Sequence, residues 1–595
     1  MNWLNRKMPA FVAVCGMLLL VVASCRKEDS ETVTNDLRAS VGNKLYHNPL
    51  NIQVFDAGDD TRYPANAKIT ISGRDGRKIL SLLGERTISI KDGIIQLGVN
   101  HNHAPSESNP LRFNLTIEAP GYLKFFKSFY LTNGEEPMHE TIRLFNLSNL
   151  PEGASYSSQE MDLDRDGQLT SDVVLKSPAS GDLSLTFKKG TYFPVGHKHL
   201  RLKGKVKMAL VRFDATKEAA VDGFSGGLAH ENATNKSGHD LGEGIFTPYG
   251  FYQIVVTVGN QEAKMLSKAV EVSMKVSTDL KRSLGDEAGA SLRSGDEVDI
   301  WSFNEDTQEW HGEDKGKVSD QTLSSVYVKF KQTHLSLWGA CDRRGRSNAC
   351  ANPGLRIQYP SNTRPATGVQ SSACFYVKVR DANNPNHVIC GFYANLWHNS
   401  LLDLRRCLKR TNKKVIIDIY DNESGTNLTR TGILMPCGQP TLNLSGLGDV
   451  RARLKHFTFN INMSAVCGNR NNSAAFFPSA TIYVAEVGSS TSSGRRYRFA
   501  GNMQNGKMST CLLRKEICYE FKVVRGPLSA TTQDLGMVCT TFPSNNSACT
   551  IRFRNPTWGL DQNVTAFATD ANTYLLNLPN FQAPEYLCNK WFRHF

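Results

Sequence analysis

The sequence predicts an all-β chain built from serial β-sandwich domains. Three observations predict it. Apolar and polar residues alternate with period two in many short segments, which buries one face of each strand. Clusters of Gly, Pro, Asn and Asp separate those segments, as turns require. Long stretches of 3.6-residue period are nearly absent, and the best helix candidate, Ser400 to Arg410, is short. The chain has 595 residues, 40% of them hydrophobic and 21% charged, which is a globular and not a disordered composition.

The N-terminus reads as an address. Arg6 and Lys7 precede an apolar run from Ala10 to Ala23, which is shorter than the roughly 20 residues of a spanning helix. A basic start, an apolar middle and small residues at the end make an export signal. The run closes on Val22-Ala23-Ser24-Cys25. This resembles a bacterial lipobox, which implies cleavage after residue 24 and a lipid on Cys25. Residues 25–41 are polar and read as a tether. Within it, Lys27-Glu28-Asp29 is similar to the surface-export signal of Bacteroidota lipoproteins, and Arg26 stands where an inner-membrane retention Asp often sits. The resemblance implies a lipid-anchored protein of the outer membrane, exposed at the cell surface.

The first module is expected over 42–147. Its strands include Lys68-Ile-Thr-Ile-Ser72, Thr87-Ile-Ser-Ile90 and Phe113-Asn-Leu-Thr-Ile117, with turns at Asp75-Gly76, Asp92-Gly93 and Pro120-Gly121. The pattern resembles the carboxypeptidase regulatory-like sandwich, a transthyretin-like fold. That resemblance implies an accessory domain without catalytic residues.

A linker is expected over 148–174. It contains Asp162, Asp164 and Asp166 at positions 1, 3 and 5 of a loop, Gly167 at position 6 and Leu169 at position 8. Alternating carboxylates around a sharp glycine turn are the signature of a calcium loop. Position 12 is Val173 where a bidentate acid is needed, and Asp172 falls one residue early. The expectation is a weak calcium site on these four aspartates, and otherwise no cofactor.

The second module is expected over 175–340. It runs through Leu183-Ser-Leu-Thr-Phe187, Phe246-Thr-Pro-Tyr-Gly250 and Val270-Glu-Val-Ser-Met274, then Trp301 to Trp310 and Thr333-His334-Leu335. The order resembles a sandwich of Bacteroidota surface proteins and of cartilage intermediate layer proteins. Trp301 and Trp310 lie near the ends of a hairpin, where they either staple it to the core or form a carbohydrate platform. His334-Leu335-Ser336 spells the triplet at which autoproteolytic relatives of this sandwich cut themselves.

Composition changes abruptly near residue 340. The formal charge is +13 overall, but residues 341–595 hold 30 basic and 14 acidic residues, a net +16, and residues 1–340 a net −3. Twelve of the 14 cysteines also fall in the second part: Cys341, Cys350, Cys374, Cys390, Cys407, Cys437, Cys467, Cys511, Cys518, Cys539, Cys549 and Cys588. An even count in an exported chain reads as disulfides, with no CxxC to suggest zinc or redox work. A tight hairpin around Asn383-Asn384 would displace Cys374 from Cys390, so no direct bond between them is expected. Two Cys-rich Ig-like domains are expected, over 341–445 and 446–595.

The basic residues gather in runs: Arg343, Arg344 and Arg346; Arg405, Arg406, Lys409 and Arg410; Lys413 and Lys414; and Arg495, Arg496 and Arg498. A field of that sign attracts polyanions such as acidic polysaccharide, lipopolysaccharide phosphate or DNA. HExxH, GxSxG, Walker and GxGxxG motifs are absent from the sequence. The sequence therefore reads as a non-enzymatic surface lipoprotein that binds or adheres through its basic, Cys-rich distal half. The alternatives are an accessory glycan-capture or glycan-processing protein, an unrecognised hydrolase included, and a structural envelope spacer.

Overall fold

The computed structural model describes residues 46–444 apart from short loop stretches, and the strands between 458 and 583. Cys25, the signal and the tether lie outside the described residues, as do Cys511 and Cys588. No helix among the described residues is long and apolar enough to cross a membrane. The fold is nearly all β, arranged as successive two-sheet sandwiches.

In the first module, one sheet orders Ile79–Ser81, Ile94–Asn100, Tyr46–Asp56 and Met138–Leu144, and the other Lys68–Ser72, Leu111–Glu118 and Phe125–Leu131. Alternate residues fill the space between them, among them Ile52, Val54, Leu97, Leu115 and Ile117, with Phe113 stacked on Phe129 at 5.0 Å. Pro120-Gly121 makes the expected turn: Gly121 takes φ +80° and the Tyr122 N–H closes on the Ala119 carbonyl. Thr87 to Ile90 makes only a single bridge, Ser89 to Lys68, and no strand.

First and last strands run parallel in this module, Tyr46–Asp56 beside Met138–Leu144. The third module repeats the arrangement with Gly354–Gln358 and Thr441–Asn443, and the fourth with Thr458–Cys467 and Thr573–Ala583. A chain that pairs its ends in parallel enters at one pole of the sandwich and leaves at the other.

Strand pairing moves two expected boundaries. Ala154–Asp162, expected within the linker 148–174, pairs along its whole length with Lys205–Phe213 in the second module's nine-stranded sheet. Leu337–Gly345 crosses the compositional break at 340 and pairs with Gly244–Val258 and Ile300–Asn304. The second module thus spans 154–345. Charge and cysteine usage report what faces solvent and what is cross-linked, whereas a strand ends where its partner ends.

Gly244–Val258 also welds the second module to the third. Phe246, Phe251, Ile254 and Val256 lie in the second module's core, while Ile245 on the opposite face belongs to the core of Leu355, Val377, Val379, Ile417 and Ile419. In that third module, Ala373–Asp381 pairs with Val388–Leu396 and Val415–Asp421. Cys374 stands opposite Asn395, and Cys390 opposite Val379, so the hairpin keeps the two cysteines apart as the spacing suggests. Disulfides join Cys350 to Cys437 and Cys390 to Cys407.

Cys341 departs from the disulfide expectation. It is a free, fully buried thiol on Leu337–Gly345, within the second module's core, where it is the sole cysteine. Burial pushes its thiol well above the ordinary range, with Asp342 and Asp299 adding to the shift. Its removal leaves eleven distal cysteines, an odd number, so the even count was no guide to complete pairing. Cys467, Cys518, Cys539 and Cys549 lie on strands of the fourth module.

The fourth module folds back onto the first. Asn51 and Gln96 face each other across two strands, and Gln96 Nε2 donates to Asn51 Oδ1 at 3.1 Å and to Thr481 Oγ1 at 2.9 Å. Gln53 Nε2 donates to the Tyr497 carbonyl at 2.7 Å, and His139 stacks on Phe499 at 4.3 Å. These buried amides are satisfied by the fourth module, which is why a polar face can be covered. Succession in sequence is therefore not a string of beads in space.

Candidate binding surfaces

Two of the basic runs, some sixty residues apart in sequence, lie side by side at the junction of the second and third modules. The Ser347 N–H donates to the Arg410 carbonyl at 3.1 Å, and Arg344 Nη1 to the Asn412 carbonyl at 3.2 Å. Segment 343–347 is the end of a second-module strand, and 409–414 follows the short helix Arg405–Leu408 of the third. The shared strand Gly244–Val258 pairs with the first, and its Thr247 hydroxyl accepts from Lys413 Nζ of the second at 2.8 Å.

Not every cation there faces solvent. Arg343 turns inward, with Nε donating to His230 Nε2 at 3.1 Å and Nη2 to the Leu241 and Gly242 carbonyls. Burial pulls its guanidinium down to about 10, and burial with Arg343 beside it holds His230 neutral, well below the usual imidazole range. Lys409 pairs with Glu231, Arg405 with Asp403, and Lys413 with Asp381 at 2.8 Å, the last two both 3% exposed. Those pairs are architecture. Arg346 and Lys414 are exposed, Arg410 is half-buried, and Arg344 is half-buried with its fork on backbone carbonyls. The side chains of Arg406 and Arg498, and the whole of Arg495 and Arg496, lie outside the described residues.

A cleft of about 200 Å³ opens where the first three modules meet. Its charges neutralise one another: Lys127 with Glu140 at 2.9 Å, Arg143 with Asp222 at 2.6 Å, and Lys409 with Glu231. It has no surplus of either sign to select a charged ligand.

The four aspartates of the expected calcium loop are not drawn together. Asp162 ends a strand opposite Lys205, and Asp164 Oδ1 accepts the N–H groups of Asp166 and Gln168. Gly167 takes φ +75° in that turn. Asp172 accepts the Lys189 N–H at 2.7 Å. Among the described residues no group of three or more His, Cys, Asp or Glu is placed to hold a metal ion. The sequence spacing of a calcium loop is here that of an Asx-type turn between paired strands, whose register sets where the carboxylates lie.

Trp301 and Trp310 are staples and no platform. They are 5% and 1% exposed; Trp301 Nε1 donates to the Cys341 carbonyl, and Trp310 stacks on Phe224 at 5.1 Å. The triplet His334-Leu335-Ser336 sits at a tight link between two strands. Ser336 Oγ is 3.5 Å from His334 Nδ1, and His334 Nε2 is 3.2 Å from Glu313, which also accepts from Ser302. Burial opposes ionisation of Glu313, but the hydrogen bonds from His334 and Ser302 outweigh it and hold the carboxyl below its usual range. The nearer acceptor for the Ser336 hydroxyl is the Leu337 carbonyl at 3.2 Å, which directs the proton away from the imidazole. The arrangement locks a strand link. Glu313 lies outside the triplet's neighbourhood in sequence, and only the fold shows it.

No protein-family model and no curated protein sequence matches the chain. Among solved structures, the pilus adhesin SpaC from Lactobacillus rhamnosus GG aligns over 72% of this chain at 10% identity and a TM-score of 0.13. The chain covers 55% of that adhesin's length. A putative pore-forming toxin from Bacteroides vulgatus aligns over 51% of this chain and 94% of its own, at 10% identity and a TM-score of 0.10. Scores this low assign neither a fold family nor a function. The class that the fold itself defines is a multi-module, all-β protein.

Proposed function

We propose that the protein is a non-enzymatic, lipid-anchored protein of the outer membrane that binds an anionic surface polymer at the junction of its second and third modules. The observation that supports this reading is the convergence of segments 343–347 and 409–414, which brings Arg346, Arg410 and Lys414 to one junction, with Glu243 as the acid beside Arg346 and Arg410. A fixed surface with a surplus of cations raises the local concentration of polyanions and their rate of encounter. Retention of the full chain on immobilised heparin tests it. Arg346→Gln with Arg410→Gln is expected to elute at clearly lower salt than the parent. Equal elution of the two would remove this surface from the binding role.

The address rests on Cys25 and the residues before it. Cys25→Ala is expected to block processing and move the protein from the membrane fraction to the soluble fraction, since the acyl chains supply the anchoring energy. Unchanged membrane partitioning of that variant would contradict a lipid anchor.

A further inference from the structure

A second cavity of about 200 Å³ lies beside the exposed cations, enclosed by Arg344, Asn412, Lys413 and Lys414 with Ser283 and Asn383. It is smaller than the roughly 300–1,000 Å³ of drug-sized ligand sites, so it suits one compact group and no extended molecule. Arg344 spans it: Nη1 donates to the Asn412 carbonyl and Nη2 to the Ser283 carbonyl, which fixes the plane of the guanidinium. Its Nε is buried without a hydrogen-bond partner and has no accessible surface, so it does not open onto the cavity. Asp381 also lines the cavity, but its carboxylate is taken up by Lys413, Thr247 and the Asn383 N–H. Among the lining residues three cations stand against one carboxylate, and the Asp342 carboxylate sits behind the wall on the Ser283 N–H.

We propose that this cavity binds a single tetrahedral oxyanion, the phosphate or sulfate ester of an acidic surface polymer. The Lys414 ammonium and the guanidinium N–H groups that the two carbonyls leave over are donors that such a group takes, and the Asn412 amide adds a neutral polar group to the walls. The inference deepens the polyanion reading: the exposed cations attract the polymer, and the cavity holds one of its charged groups. Nothing in the sequence marks the cavity, because Ser283, Arg344, Asn383 and Lys414 come from four separate segments.

The test is calorimetric titration of the full chain with inorganic phosphate and with inorganic sulfate at low ionic strength. Saturable binding of either ion at one site per chain is expected, in the millimolar range and weakened about fivefold by Lys414→Gln, as loss of one partly screened charge implies. Arg344→Lys should weaken it at least as much, because an ammonium lacks the planar fork. Lys414 is exposed, so its substitution leaves the fold intact even where that of Arg344 does not. Arg356→Gln, on an exposed position outside the cavity, should leave ion binding unchanged. Absence of saturable binding by both ions, or binding insensitive to Lys414→Gln, would overturn the proposal. Heparin retention without ion binding would overturn the cavity site while the wider polyanion reading stands.

Discussion

Asp418→Ala is expected to cost the third module about 3–5 kcal/mol, the range found when one partner of a buried ion pair is removed. Asp418 is fully buried and accepts from Arg430 at 2.6 Å, from Arg380 and from the Tyr420 hydroxyl. Arg380 is 3% exposed and reaches on to Glu218 Oε2 at 2.7 Å, on the short helix Glu218–Asp222 of the second module. Taking away Asp418 leaves a buried guanidinium with half its counter-charge. The loss should therefore reach the contact between modules, and not only the strand that carries the residue. Urea unfolding, with hydrogen exchange read on Ala373–Asp381, measures it. A change under about 1 kcal/mol would show that Arg380 finds water or another partner in the variant.

The same group sets an acid limit. Burial opposes ionisation of Asp418, yet Arg430 and Arg380 outweigh it and hold the carboxyl below the usual range. A folded-state pKa below the unfolded value of about 3.9 gives stability that is complete above that pH and lost as pH falls through the folded value. Asp381 and Glu218 are shifted in the same direction by Lys413, Arg380 and Lys378 against their own burial. Acid should thus loosen the third module and its junction below about pH 4, with the Asp418 share of the loss absent in Asp418→Ala.

Removal of the Cys350–Cys437 bond comes next in size. The two residues are 87 apart in sequence, and closing a loop of that length in the unfolded chain corresponds to about 4.6 kcal/mol. Cys390–Cys407, at a separation of 17, corresponds to about 3.1 kcal/mol. Paired Cys→Ala variants should therefore rank in that order in urea, while the first module, which lacks cysteine, keeps its midpoint. Equal losses would show that packing around the bonds, and not loop closure, sets their contribution. Thiol labelling under denaturing, non-reducing conditions should find Cys341 free in every variant.

Much of the fold was legible because strand signals are local. Leu183-Ser-Leu-Thr-Phe187 alternates in sequence and its burial alternates residue for residue in the structure. The hairpin of Ala373–Asp381 was legible for the same reason, and its displacement of Cys374 from Cys390 with it. What sequence could not give was pairing between distant segments. Asn51, Gln53 and Gln96 look like ordinary solvent-facing positions of alternating strands, and only Thr481 and Tyr497, some 400 residues on, show why they are buried. The basic runs were visible as composition, but the sequence did not separate Arg343, Lys409 and Lys413, spent on internal partners, from Arg346, Arg410 and Lys414. Asp162 to Asp172 had the spacing of a calcium loop, and the register of paired strands decided where its carboxylates went.

A preformed basic surface at the junction of the second and third modules is proposed to bind a polyanion. The salt dependence of heparin binding by the full chain tests it most directly. Each cation that neutralises a charged group of the polymer releases counterions, so log K should fall linearly with log salt, by about 0.7–0.9 per contact if the polymer behaves as a nucleic acid does. A steep slope is expected for the parent and one shallower by about 1–2 units for Arg346→Gln with Arg410→Gln. A parent slope near zero, or identical slopes for the two proteins, would contradict it.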